Sequence, residues 1–314
     1  MNTKQNIETN FTSRVHRTAY PTIALSRPAL RQDGKTVLVT GGATGIGFSI
    51  AKSFVQAGAA KVILVGRRAA VLETAVAALK PEAAGCEVLA MPCDQGDHAA
   101  VRALWAALRR DECTIDTLVL NAVDFTDGKP LLELGAESLW HSYEVNVRGL
   151  LDMVEGLHQQ PHRGMVILLN VIHVSSQALN MLYKSQLAPS ALYPTYGLTK
   201  NAGTMLLQQI AKDVSPDVIQ IISFHPGLIH NDQWAKMGVK KTDLPFDDDS
   251  LPGSFAVWAT TEEARFLHGR FVWASWDIDE YSQGETRRLL QTDDFLRVGV
   301  VGLRGAFKAD WSAK

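Results

Sequence analysis

Cysteine is scarce in this chain of 314 residues: it occurs at Cys86, Cys93 and Cys113 only, and no two of these form a C-x-x-C pair. That excludes a disulfide framework and a cysteine-based zinc knuckle, and makes a reducing compartment, the cytoplasm, the expected setting. Long apolar runs are missing as well. No stretch approaches the roughly 20 apolar residues that span a bilayer, and the polar, arginine-bearing segment Met1–Asp33 lacks the apolar core of a signal peptide. Charge of one sign is not in excess, since 31 Lys and Arg against 33 Asp and Glu leave a formal −2. Neither nucleic acid nor an anionic membrane is expected as a partner on that balance. The acidic run Asp247-Asp248-Asp249 reads as a solvated loop, and no metal is expected. There is no internal repeat or low-complexity segment.

What the chain has is the profile of a soluble globular protein, 46% apolar and 20% charged. After an N-terminal arm, residues 1–33, short β-branched runs alternate with segments of helical periodicity, each joined by a short connection. The predicted strands are Thr36–Thr40, Val62–Val65, Val88–Met91, Thr117–Leu120, a fifth beginning at Met165, and Val218–Phe224. Helices are predicted at Gly45–Ala57, Ala69–Leu79, His98–Leu108, about Glu137–His158 and Tyr196–Asp213. This is the pattern of a doubly wound parallel sheet with helices on both faces, an α/β/α Rossmann fold in one domain over residues 34–314. Ligands of such sheets bind at the carboxyl ends of the strands, so the residues after each strand are the ones to interrogate.

The stretch after the first strand, Gly41-Gly42-Ala43-Thr44-Gly45-Ile46-Gly47, is a glycine-rich turn that leads into a helix with Ile46, Ile50, Phe54 and Val55 on one stripe. Its glycines permit a tight turn and close approach of a ligand to bare backbone, and the free N–H groups of the helix start attract a pyrophosphate. The spacing T-G-x-x-x-G-x-G differs from the commoner G-x-G-x-x-G. After the second strand, where a dinucleotide's adenosine ribose would lie, the chain has Gly66-Arg67-Arg68 and no carboxylate before Glu73. An acidic residue there suits NAD; paired guanidinium groups suit the extra phosphate of NADP, so NADP(H) is the expected cofactor. Asp94 closes the third strand, either to receive the adenine amino group or to cap the next helix. Asn121-Ala122 ends the fourth, where an asparagine serves the cofactor or simply ties strands together.

Tyr196 and Lys200, four residues apart on a predicted helix, share one face. A neighbouring ammonium favours phenolate, so this spacing predicts a tyrosine with a lowered pKa, able to exchange a proton with a carbonyl oxygen near neutral pH.

Taken together, Thr40-Gly41-x-x-x-Gly45-Ile46-Gly47, Asp94, Asn121-Ala122, Asn146, Tyr196-x-x-x-Lys200 and Pro226-Gly227 resemble, in order and spacing, the classical short-chain dehydrogenase/reductase family. The resemblance covers about Lys35 to Gly227, and the tail looks like that of fungal members. It implies that Tyr196 is the general acid/base and that Lys200 binds the nicotinamide ribose and tunes Tyr196. It implies too that Asn146 holds a water linking the lysine to solvent, and that Pro226-Gly227 walls the nicotinamide. The implied cofactor ligands are Gly41, Thr44, Gly45, Ile46, Gly47, Arg67, Arg68, Asp94, Asn121, Tyr196, Lys200, Pro226 and Gly227. Homodimers or homotetramers, formed through helices flanking the fourth and fifth strands, are usual in the family.

The family's oxyanion-binding serine stands about a dozen residues before the tyrosine, and here Asn170-Val171-Ile172-His173-Val174-Ser175-Ser176 allows two alignments. One makes Ser176 catalytic, with Ser175 beside it and a longer loop, Gln177 to Thr195, in the substrate pocket. The other respects a strand counted from Gly164 and leaves His173 as the polar group. The first is favoured, because a longer strand is absorbed more cheaply than a missing donor, whose loss costs about 10²–10³ in rate at other oxyanion sites. Residues 228–252 form a long segment with Trp234, Met237, Leu244 and Phe246 as an apolar inner face, read as a lid over an apolar substrate; a C-terminal extension starts near 275. Two functions stand open: an NADP(H)-dependent oxidoreductase interconverting a carbonyl and a secondary alcohol through Tyr196, Lys200, Ser176 and Asn146, or a catalytically impaired nucleotide-binding or regulatory protein of the same fold.

Overall fold

Apart from the half-exposed edge strand Glu87–Pro92, the strands are short, rich in β-branched residues and buried over nearly their whole length, which is what a parallel sheet covered on both faces demands. In the computed structural model, which describes residues 11–126, 128–161, 168–179, 193–292 and 294–299, they are β1 (Thr36–Thr40), β2 (Lys61–Gly66), β3 (Glu87–Pro92), β4 (Thr117–Leu120), β5 (Leu169–Val174), β6 (Ile219–His225) and β7 (Arg270–Trp273). They form one sheet in the order β3-β2-β1-β4-β5-β6-β7, every pair parallel. The strand order reverses between β1 and β4, whose following connections leave toward opposite faces and open a crevice above their carboxyl ends.

Alternate strand residues feed two cores. Val37, Val39 and Phe224 face a layer built on α1 (Gly45–Gln56), α2 (Ala69–Leu79) and, later in the chain, Ser250–Trp258; Leu38, Leu118 and Ile221 face the layer of His98–Arg110, Gly149–His158 and Pro194–Asp213. The helices in chain order are α3 (His98–Arg110), α4 (Leu131–Leu134), α5 (Ala136–Tyr143), α6 (Gly149–His158), α7 (Pro194–Asp213), α8 (Asp232–Lys236), α9 (Ser250–Trp258), α10 (Ile278–Tyr281) and α11 (Gly284–Leu289). The single doubly wound α/β/α domain is as expected.

Three details depart from the sequence reading. The long helical region is interrupted at Glu144–Arg148 by a π turn, an insertion that hydrophobic periodicity does not distinguish from an α turn and that is frequent at functional sites. β5 starts at Leu169, not at Met165, which lies outside the described residues; its register is set by its neighbours, with His173 opposite Leu120 of β4 and Ser223 of β6. Residues 11–33 are laid along the body. Ile23 and Leu30 are fully buried in the first core, worth about 1.5–3 kcal/mol each, and Val15 bridges to Trp276.

Candidate active site

The glycine turn is shaped by what it excludes. A Cβ on Gly47 would lie 2.2 Å from Gly41 O and 2.5 Å from the Asn121 side-chain nitrogen, so α1 reaches the end of β1 only with a hydrogen at that position. Asn121 donates through Nδ2 to Thr40 O at 3.1 Å and Gly41 O at 3.2 Å, while Thr40 Oγ1 accepts from Asn121 N and Ala122 N at 3.0 and 3.1 Å. The asparagine therefore ties the carboxyl ends of β1 and β4 together. Thr44 is exposed as the N-cap of α1, its hydroxyl making no cap bond.

A cleft of about 190 Å³ opens above these ends, lined by Gly41, Thr44, Arg67, Arg68, Asp94 and Asp124 among others. Arg67 and Arg68 are exposed and make no ion pair among the described residues; two unneutralised guanidinium groups at the rim are an anion-binding feature. Asp94 accepts a bond from Gly96 N at 3.0 Å, but α3 is capped by Asp97, which accepts from Ala99 N and Ala100 N. The capping alternative for Asp94 is thus taken by its neighbour three residues on. The cleft fits a dinucleotide in the elements that hold one: a glycine cradle that has no room for a Cβ at Gly41, Gly42 or Gly47, a free helix N-terminus, and two arginines with no ion pair among the described residues.

Across β4 lies a second group of residues. α7 begins with Pro at its first position, pre-set for a helix start, and so puts Tyr196, Thr199 and Lys200 in its first two turns. Lys200 Nζ donates to Val174 O, the last residue of β5, at 2.6 Å and stands 5.9 Å from the centre of the Tyr196 ring. Ser176, just past the strand, stands close enough to the Tyr196 phenol to favour its ionised form and accepts from Ala178 N at 3.1 Å. Ser175 is bonded instead to Thr204 at 2.6 Å, and His173 to Ser223 at 3.1 Å inside the sheet. Of the three polar residues weighed at this strand end, Ser176 is the one brought to the tyrosine. Residues 180–192 of the following loop lie outside the described residues.

Electrostatically the pair behaves differently from the spacing argument. Burial raises the Tyr196 phenol above its ordinary value, opposed by the nearby Ser176 hydroxyl, and burial brings the Lys200 ammonium down to about 7. Desolvation disfavours both charged forms and outweighs the attraction that the i, i+4 spacing suggests. His173 is held well below the usual imidazole range by burial and then by Lys200, and is neutral. His225 closes β6 buried against Trp273, edge to face at 4.9 Å, with burial bringing it down to about 3.

Asn146 sits in the π turn with every side-chain group used. Nδ2 donates to Asp124 O and Thr199 Oγ1 at 3.0 Å each, and Oδ1 accepts from Asp124 N at 2.7 Å. Because Asp124 also lines the cleft, this residue joins the two halves of the site. Sequence reasoning missed Asp124 and Phe125, whose ring stacks on Tyr196 at 4.5 Å and 15°; no spacing in the chain announces either. Pro226-Gly227 follows β6 at the same edge of the sheet. Among the described residues no three His, Cys, Asp or Glu side chains gather as a metal site would require.

The family model described as short chain dehydrogenase matches residues 35–241. The chain belongs to that family. It is therefore a short-chain dehydrogenase/reductase, an oxidoreductase of fungal type by its relatives. It is similar to the short chain dehydrogenase/reductase AacuD of Aspergillus aculeatus, 31% identical over 268 residues that make up 85% of this chain and 89% of that protein. The sorbitol dehydrogenase of Cereibacter sphaeroides is 29% identical over 216 residues, 68% of this chain and 78% of that one. Among solved structures the fold is similar to L-sorbose reductase from Gluconobacter frateurii complexed with NADPH and L-sorbose, with TM-score 0.68, 24% identity, and 80% and 98% of the two chains covered. An Agrobacterium tumefaciens 3-oxoacyl (acyl-carrier-protein) reductase with NADP bound gives TM-score 0.66 at 23% identity, covering 79% and 96%. No helix among the described residues is long and apolar enough to cross a membrane.

Proposed function

We propose that this short-chain dehydrogenase/reductase is NADP(H)-dependent and interconverts a carbonyl and a secondary alcohol, with Tyr196 as general acid/base, Ser176 as the donor to the carbonyl oxygen, Lys200 as the ribose ligand and Asn146 as the anchor of the proton path. The observation that carries the reading is a Tyr196 ring 5.9 Å from a lysine fixed to the end of β5, with Ser176 near enough to the phenol to oppose the effect of its burial. Two neighbouring hydroxyls can give one carbonyl oxygen two hydrogen bonds. When bound, NADP(H) supplies the hydride chemistry.

The chain's residues do the rest. Gly41, Gly45, Ile46 and Gly47, with Thr44 at the N-cap, present backbone N–H groups to the pyrophosphate. Arg67 and Arg68 take the 2′-phosphate, and NADP(H) in similar folds supports that choice. Asp94 receives the adenine amino group, Asn121 holds the turn, and Pro226-Gly227 limits the nicotinamide's room. A phenol raised by burial stays protonated at neutral pH and is ready to donate in the reducing direction; a lysine near 7 is poised to reprotonate it. Asn146, bonded to Thr199 and Asp124, keeps the π turn's backbone against α7, where a water feeding Lys200 is held. Residues 228–252 close over the substrate. Exposed Trp140, Leu151 and Met205 on α5, α6 and α7 support self-association as a homodimer or homotetramer, with the cytoplasm as location.

The test is a carbonyl screen read by NADPH consumption, together with Tyr196→Phe. That variant is expected to bind NADPH as the parent does and to lose about 10²–10⁴ in turnover; full activity would refute the assignment.

A further inference from the structure

The loop between β6 and α9 is closed at its own base. Asp247 N donates to Leu228 O at 2.7 Å, and Leu228 N donates back to Asp247 Oδ2 at 2.8 Å. Gly227 makes room for this clasp: its φ is +101°, and a Cβ there would lie 2.7 Å from Asp247 Oδ2. Within the closed segment, His230 and Trp234 pack edge-on against Phe246 at 5.0 and 5.6 Å, and the His230 ring bonds Val239 O at 2.9 Å. Residues 228–247 are thus a self-packed unit hinged directly on Pro226-Gly227.

The clasp's second partner comes from the other end of the chain. Arg17 donates through Nε to Asp247 Oδ1 at 3.1 Å and through Nη2 to Phe246 O at 2.8 Å, and its own carbonyl accepts from Asp248 N at 2.7 Å. Ala19 N reaches Ser250 Oγ at 3.3 Å, and Ser49 of α1 bonds Asp249 O. The N-terminal segment, the glycine-turn helix and the loop base therefore meet at residues 247–250. Burial raises the Asp247 carboxyl, while Leu228 N and Arg17 hold it down, so the carboxylate depends on both partners.

We propose that Arg17 is a positioning residue for the substrate loop, fixing its closed placement over the Pro226-Gly227 wall through Asp247. The proposal rests on the reading above that 228–252 closes over substrate. An isolated surface ion pair is worth little; here the carboxylate is mostly buried and the guanidinium fork also satisfies a backbone carbonyl, a geometry lysine does not reproduce. Removing the fork leaves the mostly buried Asp247 carboxylate with Leu228 N as its remaining donor, and the loop loses one of the contacts that tie it to the body.

Hydrogen–deuterium exchange on the full-length protein, which needs no substrate, tests the tie directly. In Arg17→Ala, amides of 228–247 are expected to exchange ~10-fold faster, while those of β1 and β4 keep the parental rate. Arg17→Lys is expected to fall between. With the ketone that consumes NADPH fastest in the parental screen, Arg17→Ala raises KM about tenfold and leaves kcat within about threefold. Unchanged loop exchange overturns the proposal, as does acceleration spread over the whole sheet or a loss confined to kcat. A parental protein that consumes no NADPH with any carbonyl sinks the functional reading instead, and the exchange measurement still decides whether Arg17 ties the loop.

Discussion

The carboxyl edge of the sheet is built in two ways. On the β1–β2 side the site is mostly backbone: a glycine turn, a helix N-terminus and two unpaired arginines contribute shape and charge, and a methyl group at Gly47 has nowhere to go. On the β5–β6 side it is mostly side chain: Lys200 and Asn146 are held by partners far away in sequence, and Ser176 stands beside Tyr196. The first half has no room for an added Cβ at Gly41, Gly42 or Gly47, and its side-chain bonds, those of Thr40 and Asn121, serve to hold that shape. The second depends on which polar side chain stands where.

Substitutions sharpen that contrast. The largest effect is expected at Gly47→Ala, where the new Cβ meets a backbone oxygen that cannot swing aside. It should abolish NADPH binding in a fluorescence titration and cost about 1–3 kcal/mol of stability from overpacking. Normal NADPH affinity in a folded Gly47→Ala protein would mean that the turn is looser than its contacts indicate. On the other side, Ser176→Ala should leave NADPH binding intact and lower kcat by about 10²–10³. His173→Asn should change kcat by less than about tenfold, because His173 is bonded to Ser223 within the sheet. The reverse ranking would return the oxyanion role to His173.

The same contrast governs what could be read without coordinates. The glycine turn, β4 and the Tyr196–Lys200 pair are local patterns, and each appears where its spacing puts it. The strand end at Ser176 is not local. Its place follows from β5 starting at Leu169, and that register is set by pairing with β4 and β6, strands about 50 residues to either side. The acidity of Tyr196 was unreadable for another reason: the i, i+4 spacing reports the neighbouring cation but not the burial, and burial prevails. Nor does any residue in the stretch 11–33 signal that it packs on segments more than 200 positions later.

Of the two arginines at the rim, Arg67 tests the charge half of the comparison. Replacing a charged hydrogen-bonding partner of the 2′-phosphate costs about 1.5–3 kcal/mol, so Arg67→Ala should weaken NADPH by about 10- to 100-fold and leave NADH nearly untouched. Equal losses for both nucleotides would show that the rim does not discriminate between them.

The smallest effect belongs to the N-terminal segment, which anchors both halves from outside. Glu280 accepts bonds from Ser13 N and Oγ at 2.7 and 2.8 Å and from Arg14 N and Nε at 2.8 and 3.1 Å. Burial pushes its carboxyl upward, but these donors outweigh it and bring the pKa down from 4.5 to about 2. The unfolded chain, with the ordinary value, then binds the proton more readily than the folded one. The contribution is present in full above the unfolded pKa of 4.5 and is lost as pH falls toward 2. Glu280→Gln should therefore melt slightly below the parent at pH 7, by an amount that shrinks steadily as the pH is lowered through that window. A melting difference that stays constant with pH would assign the residue's contribution to packing, and would leave the attachment of residues 11–33 resting on Arg17, Arg27 and the buried Ile23 and Leu30.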